Sequence, residues 1–287
     1  MEQKKKTPNT GLLTFEKMDN RRSDSVGSSR IRMRWMLPYW EDAEEFIIGK
    51  HYEVQIYQKV YWEDMMRQFK GIQILDLCDP DWLEGRDVFK FIDIANAVVT
   101  STQTLADYIL KFRPNAKVIC IPDRVELKEH TPKVKHEGLI KKAAWFGYSH
   151  NIHYLEQTFD ELIKNNIELT VISNEQFNPT FSFRSLKLKN IPYAYPQVHE
   201  ELVKNDIMLL PEPSGDEKGK FKSNNKVLTA WALGMPVVKT ADDLDRFMDA
   251  KERNIEAKLR REEVERDWGI EKSVIEYKGL INSLLSY

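Results

Sequence analysis

Residues Leu209 to Val238 read LLPEPSGDEKGKFKSNNKVLTAWALGMPVV, and they order as strand, long polar loop, helix, turn and strand. Ile207, Met208, Leu209 and Leu210 form a short apolar run that Pro211 ends, the pattern of a buried strand. The loop from Glu212 to Asn224 holds Pro213, Ser214, Gly215, Gly219 and several lysines. Ser223 or Asn224 can cap a helix whose apolar face carries Val227, Leu228, Trp231 and Ala232. Gly234 suits the left-handed C-terminal position, and Pro236 stops continuation before the strand that begins at Val237. A helix N-terminus presents free N–H groups and positive potential, and here Lys220, Lys222 and Lys226 surround it. That is chemistry suited to a diphosphate. A solvated basic loop before a core helix fits the stretch equally well when it is taken alone.

Composition narrows the classes. The chain has 287 residues, room for two domains, with 41% hydrophobic and 31% charged residues, as in a soluble globular protein. The net charge of -2 argues against a wholesale nucleic-acid binder and leaves any polyanion contact local. Cys78 and Cys120 sit in apolar runs and read as small buried hydrophobes in a reducing, cytoplasmic compartment, not as a disulfide framework or a metal site. No apolar run reaches the ~20 residues that span a bilayer. The start, MEQKKKTPNTG, lacks the apolar segment of a signal peptide and is expected to be a flexible tail over 1–10.

Outward from the opening stretch, the chain alternates strands and helices. Strands are expected at 11–16, 53–59, 72–77, 97–100 and 117–121, with helices at 30–36, 62–69, 87–94 and from Ser101 or Thr102 to Leu110. A charged, Pro-containing stretch over 128–142 reads as a linker. A second alternation follows, with strands at 143–146, 168–173 and 186–191 and helices at 152–165 and 198–205. After Val238 come helical regions at 242–248, at 253–268, where Ile255, Leu259, Val264 and Trp268 are sparse apolar contacts, and at 270–285. The β-branched, apolar strands predict α/β units with largely parallel sheets. Arg30, Arg32 and Arg34 alternate along their helix and so do not share one face; at least one should point at the Gly27–Ser28–Ser29 turn.

This pattern resembles the GT-B glycosyltransferases, especially the glycosyl transferase group 1 set. The resemblance is carried by IANAVVTSTQTLADYI and KVICIPDRVE, by AAWFGYSHNIHYLEQTFDELI, and by NDIMLLPEPSG with KSNNKVLTAWALGMPVV, in that order. It implies two Rossmann-like domains facing a cleft. The N-terminal acceptor domain spans 11–127 and the linker 128–142. The nucleotide-sugar domain spans 143–268, and a C-terminal helix over 269–287 can pack back on the first domain. It implies transfer of a sugar from a nucleotide-diphosphate sugar to a hydroxyl of a glycan, a small molecule or a modified nucleic acid, with no tightly bound cofactor and no metal.

Residue by residue, the resemblance implies that Lys222, Ser223, Asn224, Asn225 and Lys226 hold the donor diphosphate, a lysine acting as a point charge and the backbone N–H groups giving direction. Gly147, Tyr148, Ser149 and His150 would approach the donor phosphates or sugar. Ser173 and Asn174, just past a strand end, would touch base or ribose. In the first domain Arg30 would help to neutralise the leaving diphosphate. Asp79 and Asp81, after the IQILDL strand, are the candidates for a general base, although an Asp-Pro-Asp turn explains them as well.

The chain departs from the family where retaining members carry two glutamates. Those positions fall here on Phe221 and Thr229, with Glu212, Asp216 and Glu217 upstream as substitutes for the first. Retention or inversion is therefore left open. Rival readings share the fold. A sugar epimerase or phosphorylase would need a nucleotide or phosphate site but no external acceptor. A second is a non-catalytic ligand- or partner-binding protein, which the missing glutamates favour. A third is a glycosyltransferase acting on modified DNA bases, to which Lys4–Lys6 and the RIRMR run point and which the net charge opposes.

Overall fold

The computed structural model describes residues 9–15, 26–133, 135–212 and 217–286. The tail over 1–8, most of the polar loop after the first strand, and Pro213, Ser214, Gly215 and Asp216 lie outside the described residues. The chain divides into two units. One comprises Met1–Arg124, Asp216–Ser223 and Ile270–Tyr287, and the other Val125–Gly215 and Asn224–Gly269.

The first unit is built on a six-stranded sheet, with β1 (Thr10–Thr14), β2 (Ala43–Glu45), β3 (Val54–Gln58), β4 (Ile72–Leu77), β5 (Ala97–Thr100) and β6 (Val118–Cys120). Its order is β2-β1-β3-β4-β5-β6, and every pairing is parallel. β3 is buried along its whole length and β4 along nearly all of it, as a parallel sheet covered on both faces demands. One core layer joins Leu13, Tyr57, Leu75, Leu77, Val98 and Ile109. Thr102 caps the helix Gln103–Phe112 by accepting from the backbone N–H of Leu105 at 3.2 Å, one of the two caps expected there. The chain leaves β1 to one side to make β2, then returns across β1 to make β3. The topological switch point therefore lies between β1 and β3, where open α/β sheets bind ligands at the carboxyl ends of their strands.

Three elements differ from expectation. The arginine helix runs from Gly27 to Arg32 and gives way to a 3-10 segment, Arg34–Tyr39, because Pro38 cannot continue an α-helical ladder. The short edge strand β2 has no alternating pattern and pairs with β1, and its Glu44 accepts from the Tyr52 hydroxyl at 3.1 Å. In the last helix, Glu271–Leu285, the buried stripe is Val274, Tyr277, Leu280 and Ile281, while Ile275 is exposed. The i, i+3, i+7 spacing of that stripe, not the count of apolar residues, sets the buried face.

The second unit carries β7 (Lys142–Phe146), β8 (Glu168–Ser173), β9 (Leu188–Pro192), β10 (Ile207–Leu209) and β11 (Val237–Val238) in the parallel order β11-β10-β7-β8-β9. Its switch point lies between β7 and β10. The helix expected at 152–165 is a 3-10 run, Ser149–Thr158, followed by an α-helix, Phe159–Lys164. Ile152 and Leu155, three apart, are the buried pair of the tighter segment. Gly234 takes φ +66, as its turn requires. In the helix Ala250–Asp267, Ile255 and Leu259 are exposed, and Arg253 is buried instead. Its guanidinium donates to the carbonyls of Phe247, Met248, Glu137 and Gly138 at 2.6–3.1 Å, which satisfies a buried cation by backbone oxygens.

Candidate functional site

In the second unit the expected donor residues gather at the carboxyl end of the sheet, beside the switch point. β7 ends at Phe146, and Gly147 follows with φ +154, a conformation that side chains rarely adopt. A β-carbon there would collide with Lys226 Nζ and stand 3.0 Å from the Trp145 ring. The glycine thus makes the space in which the ammonium sits. Lys226 comes from the first turn of the helix Asn225–Ala232, and its Nζ lies 4.7 Å over the Trp145 ring and 5.7 Å over that of Phe146. One positive group, the start of a helix and a backbone turn without a side chain meet here, the elements of an anion site.

The neighbouring turn is ordered from β8. Asn174 Oδ1 accepts from the backbone N–H of Ser149 at 2.8 Å and from the Ser173 hydroxyl at 3.3 Å. Tyr148 is exposed, with its ring near-parallel to that of His150 at 5.8 Å. The structure therefore brings together Gly147, Tyr148, Ser149, His150, Ser173, Asn174 and Lys226. Asn224 is the N-cap of the Asn225–Ala232 helix, but no side-chain bond from it closes the helix start.

Lys222 and Ser223 belong to the first unit, with the segment Asp216–Ser223. Lys222 is exposed. The Ser223 hydroxyl donates to Asp123 at 2.5 Å, so the serine expected to face the diphosphate is engaged by a buried carboxylate. Phe221 fills a slot made by Trp82 and Tyr108, whose rings stack at 4.6 Å, and meets each edge-on at 5.5 and 5.6 Å. Lys218 pairs with Glu84 at 3.1 Å.

Asp123 is part of the network that fastens the last helix to the first unit. Arg32 donates to Asp76 at 2.7 and 3.1 Å, to Asp123 at 3.2 Å and to the carbonyl of Ile121 at 2.6 Å. The Tyr277 hydroxyl donates to Asp76, and Arg124 forks onto Glu276 at 2.7 and 2.9 Å. Burial works against the Arg32 cation, but Asp76, Tyr277 and Asp123 outweigh it and hold the guanidinium well above its usual range. Burial raises the Asp123 carboxyl despite Arg32 and Ser223, and burial with Asp76 pushes the Tyr277 phenol well up. Arg32, not Arg30, is therefore the arginine committed to the core. Arg30 is also buried; its Nη2 lies 4.0 Å from where a β-carbon of Gly27 would be, and its guanidinium is 5.5 Å from the Trp35 ring.

Asp79 and Asp81 follow β4 and differ sharply in setting. Asp81 is 2% exposed; it accepts from the Tyr61 hydroxyl at 2.6 Å and pairs with Lys59 at 3.1 Å. The Asp79 side chain is 51% exposed and pairs with Lys59 at 2.7 Å. Lys59, at the end of β3 and beside the switch point, was not singled out by the sequence. Its φ of +52 is unusual for a residue with a side chain, and nothing in EVQIYQK announces it. Burial pulls its ammonium down, but Cys78, Asp79 and Asp81 together leave it above the ordinary lysine range. Burial, then Asp79, pushes the Cys78 thiol well up, which makes it a packing group and not a nucleophile.

No protein-family model and no curated protein sequence matches the chain. Solved structures do match. The fold is similar to that of HepE of Anabaena in complex with UDP, with a TM-score of 0.64 and 9% identity over 96% of this chain and 100% of that one. HepE is also known in complex with UDP-glucose. TarM matches with a TM-score of 0.61 and 11% identity over 87% of this chain, and the DNA-modifying β-glucosyltransferase with 0.59 and 8% over 97%. The chain spans 57% of the length of TarM and 99% of that β-glucosyltransferase. At these identities the likeness is one of fold, and the two parallel α/β units of the chain have the GT-B fold. Among the described residues, no helix is long and apolar enough to cross a membrane.

Proposed function

We propose that the protein is a glycosyltransferase that takes a sugar from a nucleotide-diphosphate sugar and places it on an acceptor hydroxyl. The observation that carries this reading is the packing of Lys226 Nζ against Gly147 at the switch point of the second unit, beside a helix start. The fold likeness to HepE, a protein known with UDP and UDP-glucose bound, supports it.

In this reading Lys226, the Gly147 turn and the free N–H groups at Asn224 and Asn225 receive the diphosphate, and Lys222 adds a second positive charge. Tyr148, Ser149, His150, Ser173 and Asn174 form the adjoining wall toward sugar and nucleoside. The first unit binds the acceptor, with Asp79 as the proton acceptor and Arg30 as a supporting cation. The leaving group is stabilised by fixed positive charge, placed before the reaction starts and so free of reorganisation cost. Two free cysteines, Cys78 and Cys120, fit a reducing compartment, and a cytoplasmic location is part of the proposal.

Calorimetry with UDP and UDP-glucose tests it. The protein should bind UDP, and Lys226→Met should weaken that binding at least tenfold, the value of one charge-assisted hydrogen bond. Unchanged affinity in the variant would sink the assignment of the diphosphate to this turn.

A further inference from the structure

The glycosyltransferase reading gives Asp79 a role but none to Lys59, which pairs with it in the first unit. Four observations converge on this lysine. Lys59 stands at the carboxyl end of β3, next to the switch point between β1 and β3, the place where open α/β sheets take their ligands. Its backbone has φ +52, a conformation that costs free energy in any residue with a β-carbon and persists where the surroundings require that side chain. Its ammonium bridges two carboxylates of unlike exposure, Asp79 at 2.7 Å and Asp81 at 3.1 Å. The Phe15 ring, one residue past the end of β1 across the switch point, lies 5.6 Å from the same Nζ.

The groups around the two carboxylates divide their work. Asp81 is enclosed, with the Tyr61 hydroxyl on one oxygen and Lys59 on the other, and the Arg86 guanidinium lies 5.3 Å over the Tyr61 ring. Asp79 faces Lys59 and the thiol of Cys78, whose Sγ is 3.5 Å away, and otherwise opens to solvent. A carboxylate this buried, with Tyr61 on one oxygen and the Lys59 ammonium against the other, is not open to an incoming hydroxyl. An exposed one, held from a single side by a cation, is.

We propose that Lys59 is a positioning residue for the acceptor hydroxyl, holding the exposed Asp79 carboxylate in place while Asp81 serves as its internal anchor. The proposal rests on the glycosyltransferase reading. In the step it serves, the acceptor O–H gives its proton to an Asp79 oxygen. The hydroxyl oxygen bonds the anomeric carbon, the bond from that carbon to the diphosphate oxygen breaks, and the nucleoside diphosphate leaves with that electron pair.

The experiment compares Lys59→Gln and Lys59→Arg with the unmodified protein. Glutamine can still donate to both aspartates, so the fold is kept, and thermal unfolding checks it. The probe is UDP-glucose with water as acceptor, and the readout is the rate of UDP release. Lys59→Gln should lower kcat at least tenfold while KM for UDP-glucose and UDP affinity by calorimetry stay within twofold. Lys59→Arg, which keeps a cation beside Asp79, should recover most of kcat. A Lys59→Gln protein that keeps kcat, or a Lys59→Arg protein no better than Lys59→Gln, overturns this proposal and leaves the glycosyltransferase reading standing. A wild-type protein that neither binds UDP nor releases it from UDP-glucose overturns both.

Discussion

Gly147→Ala tests the centre of the proposed donor site, because it adds one carbon where the structure leaves no room. Two effects act. The backbone at φ +154 is one that side chains rarely adopt, and holding a non-glycine in such a region costs about 1–3 kcal/mol. The new β-carbon also meets Lys226 Nζ, and it stands 3.0 Å from Trp145, tighter than ordinary contact. The ammonium is the far end of a flexible side chain and moves first. It then gives up its place 4.7 Å over the Trp145 ring, worth about 0.5–1 kcal/mol. A loss of about 1.5–4 kcal/mol follows from these two terms, or roughly 3–16 °C in thermal midpoint at ~2–4 °C per kcal/mol. If the displaced ammonium is the diphosphate contact, UDP affinity falls at least tenfold as well. Lys226→Met removes the charge without straining the backbone, so it should match the affinity loss and spare most of the stability. The double variant should bind UDP no worse than the weaker single one, since both remove the same contact. Gly147→Ala with wild-type UDP affinity, beside a Lys226→Met that has lost it, would refute the claim that the glycine exists to seat the lysine.

Two other outcomes follow from the buried polar groups. Tyr277→Phe removes the hydroxyl that donates to Asp76 and that Arg32 reaches at 3.3 Å, so thermal unfolding should show a loss of about 1–3 kcal/mol; an unchanged midpoint would mean that this hydroxyl adds nothing to the hold on the last helix. His136 is buried, with its Nε2 at 2.9 Å from the carbonyl of Gly234, and burial lowers its proton affinity below the ordinary value of 6.5 despite that bond. The unfolded chain then takes up this proton first, so stability is flat above about pH 6.5 and falls as pH drops below it. Chemical denaturation at a series of pH values should show that fall, and His136→Gln should reduce it.

The parallel sheets were legible because their strands are continuous apolar runs, and IQILDL, AVVT and ELTVIS each correspond closely to a strand. Gly147 and Gly234 were legible because their turns demand glycine, and both adopt positive φ. What stayed hidden depends on distance in the chain. Arg32, Asp76, Asp123 and Tyr277 are spread over more than two hundred residues, and no local pattern marks an arginine that will be buried between two carboxylates. Arg253 looked like one charge among many in a solvated helix, yet it caps backbone carbonyls from two other segments. The stretch read as a linker contributes His130, His136 and Ile140 to the interior, which its charged composition concealed. Lys59 was missed because side-chain chemistry alone does not announce a left-handed backbone.

The two positions where the resemblance would place glutamates can now be argued from packing. Phe221 is 5% exposed between Trp82 and Tyr108, and Thr229 is 8% exposed inside the Asn225–Ala232 helix. A carboxylate at the first would face stacked rings and one at the second would be buried inside the helix, and each would lose its hydration there. Both positions as they stand serve the fold. On the glycosyltransferase reading, the charge of the departing diphosphate must then be met by cations and backbone N–H groups alone, and the acid–base work falls to the carboxylate that Lys59 holds at the surface of the first unit. On that reading Lys226 and Lys222 carry the donor charge with Arg30 and the backbone N–H groups, and Lys59 holds Asp79. Neutralising Lys226, Lys222 or Lys59 should cost more in turnover than in stability, whereas Phe221→Glu should cost the fold first.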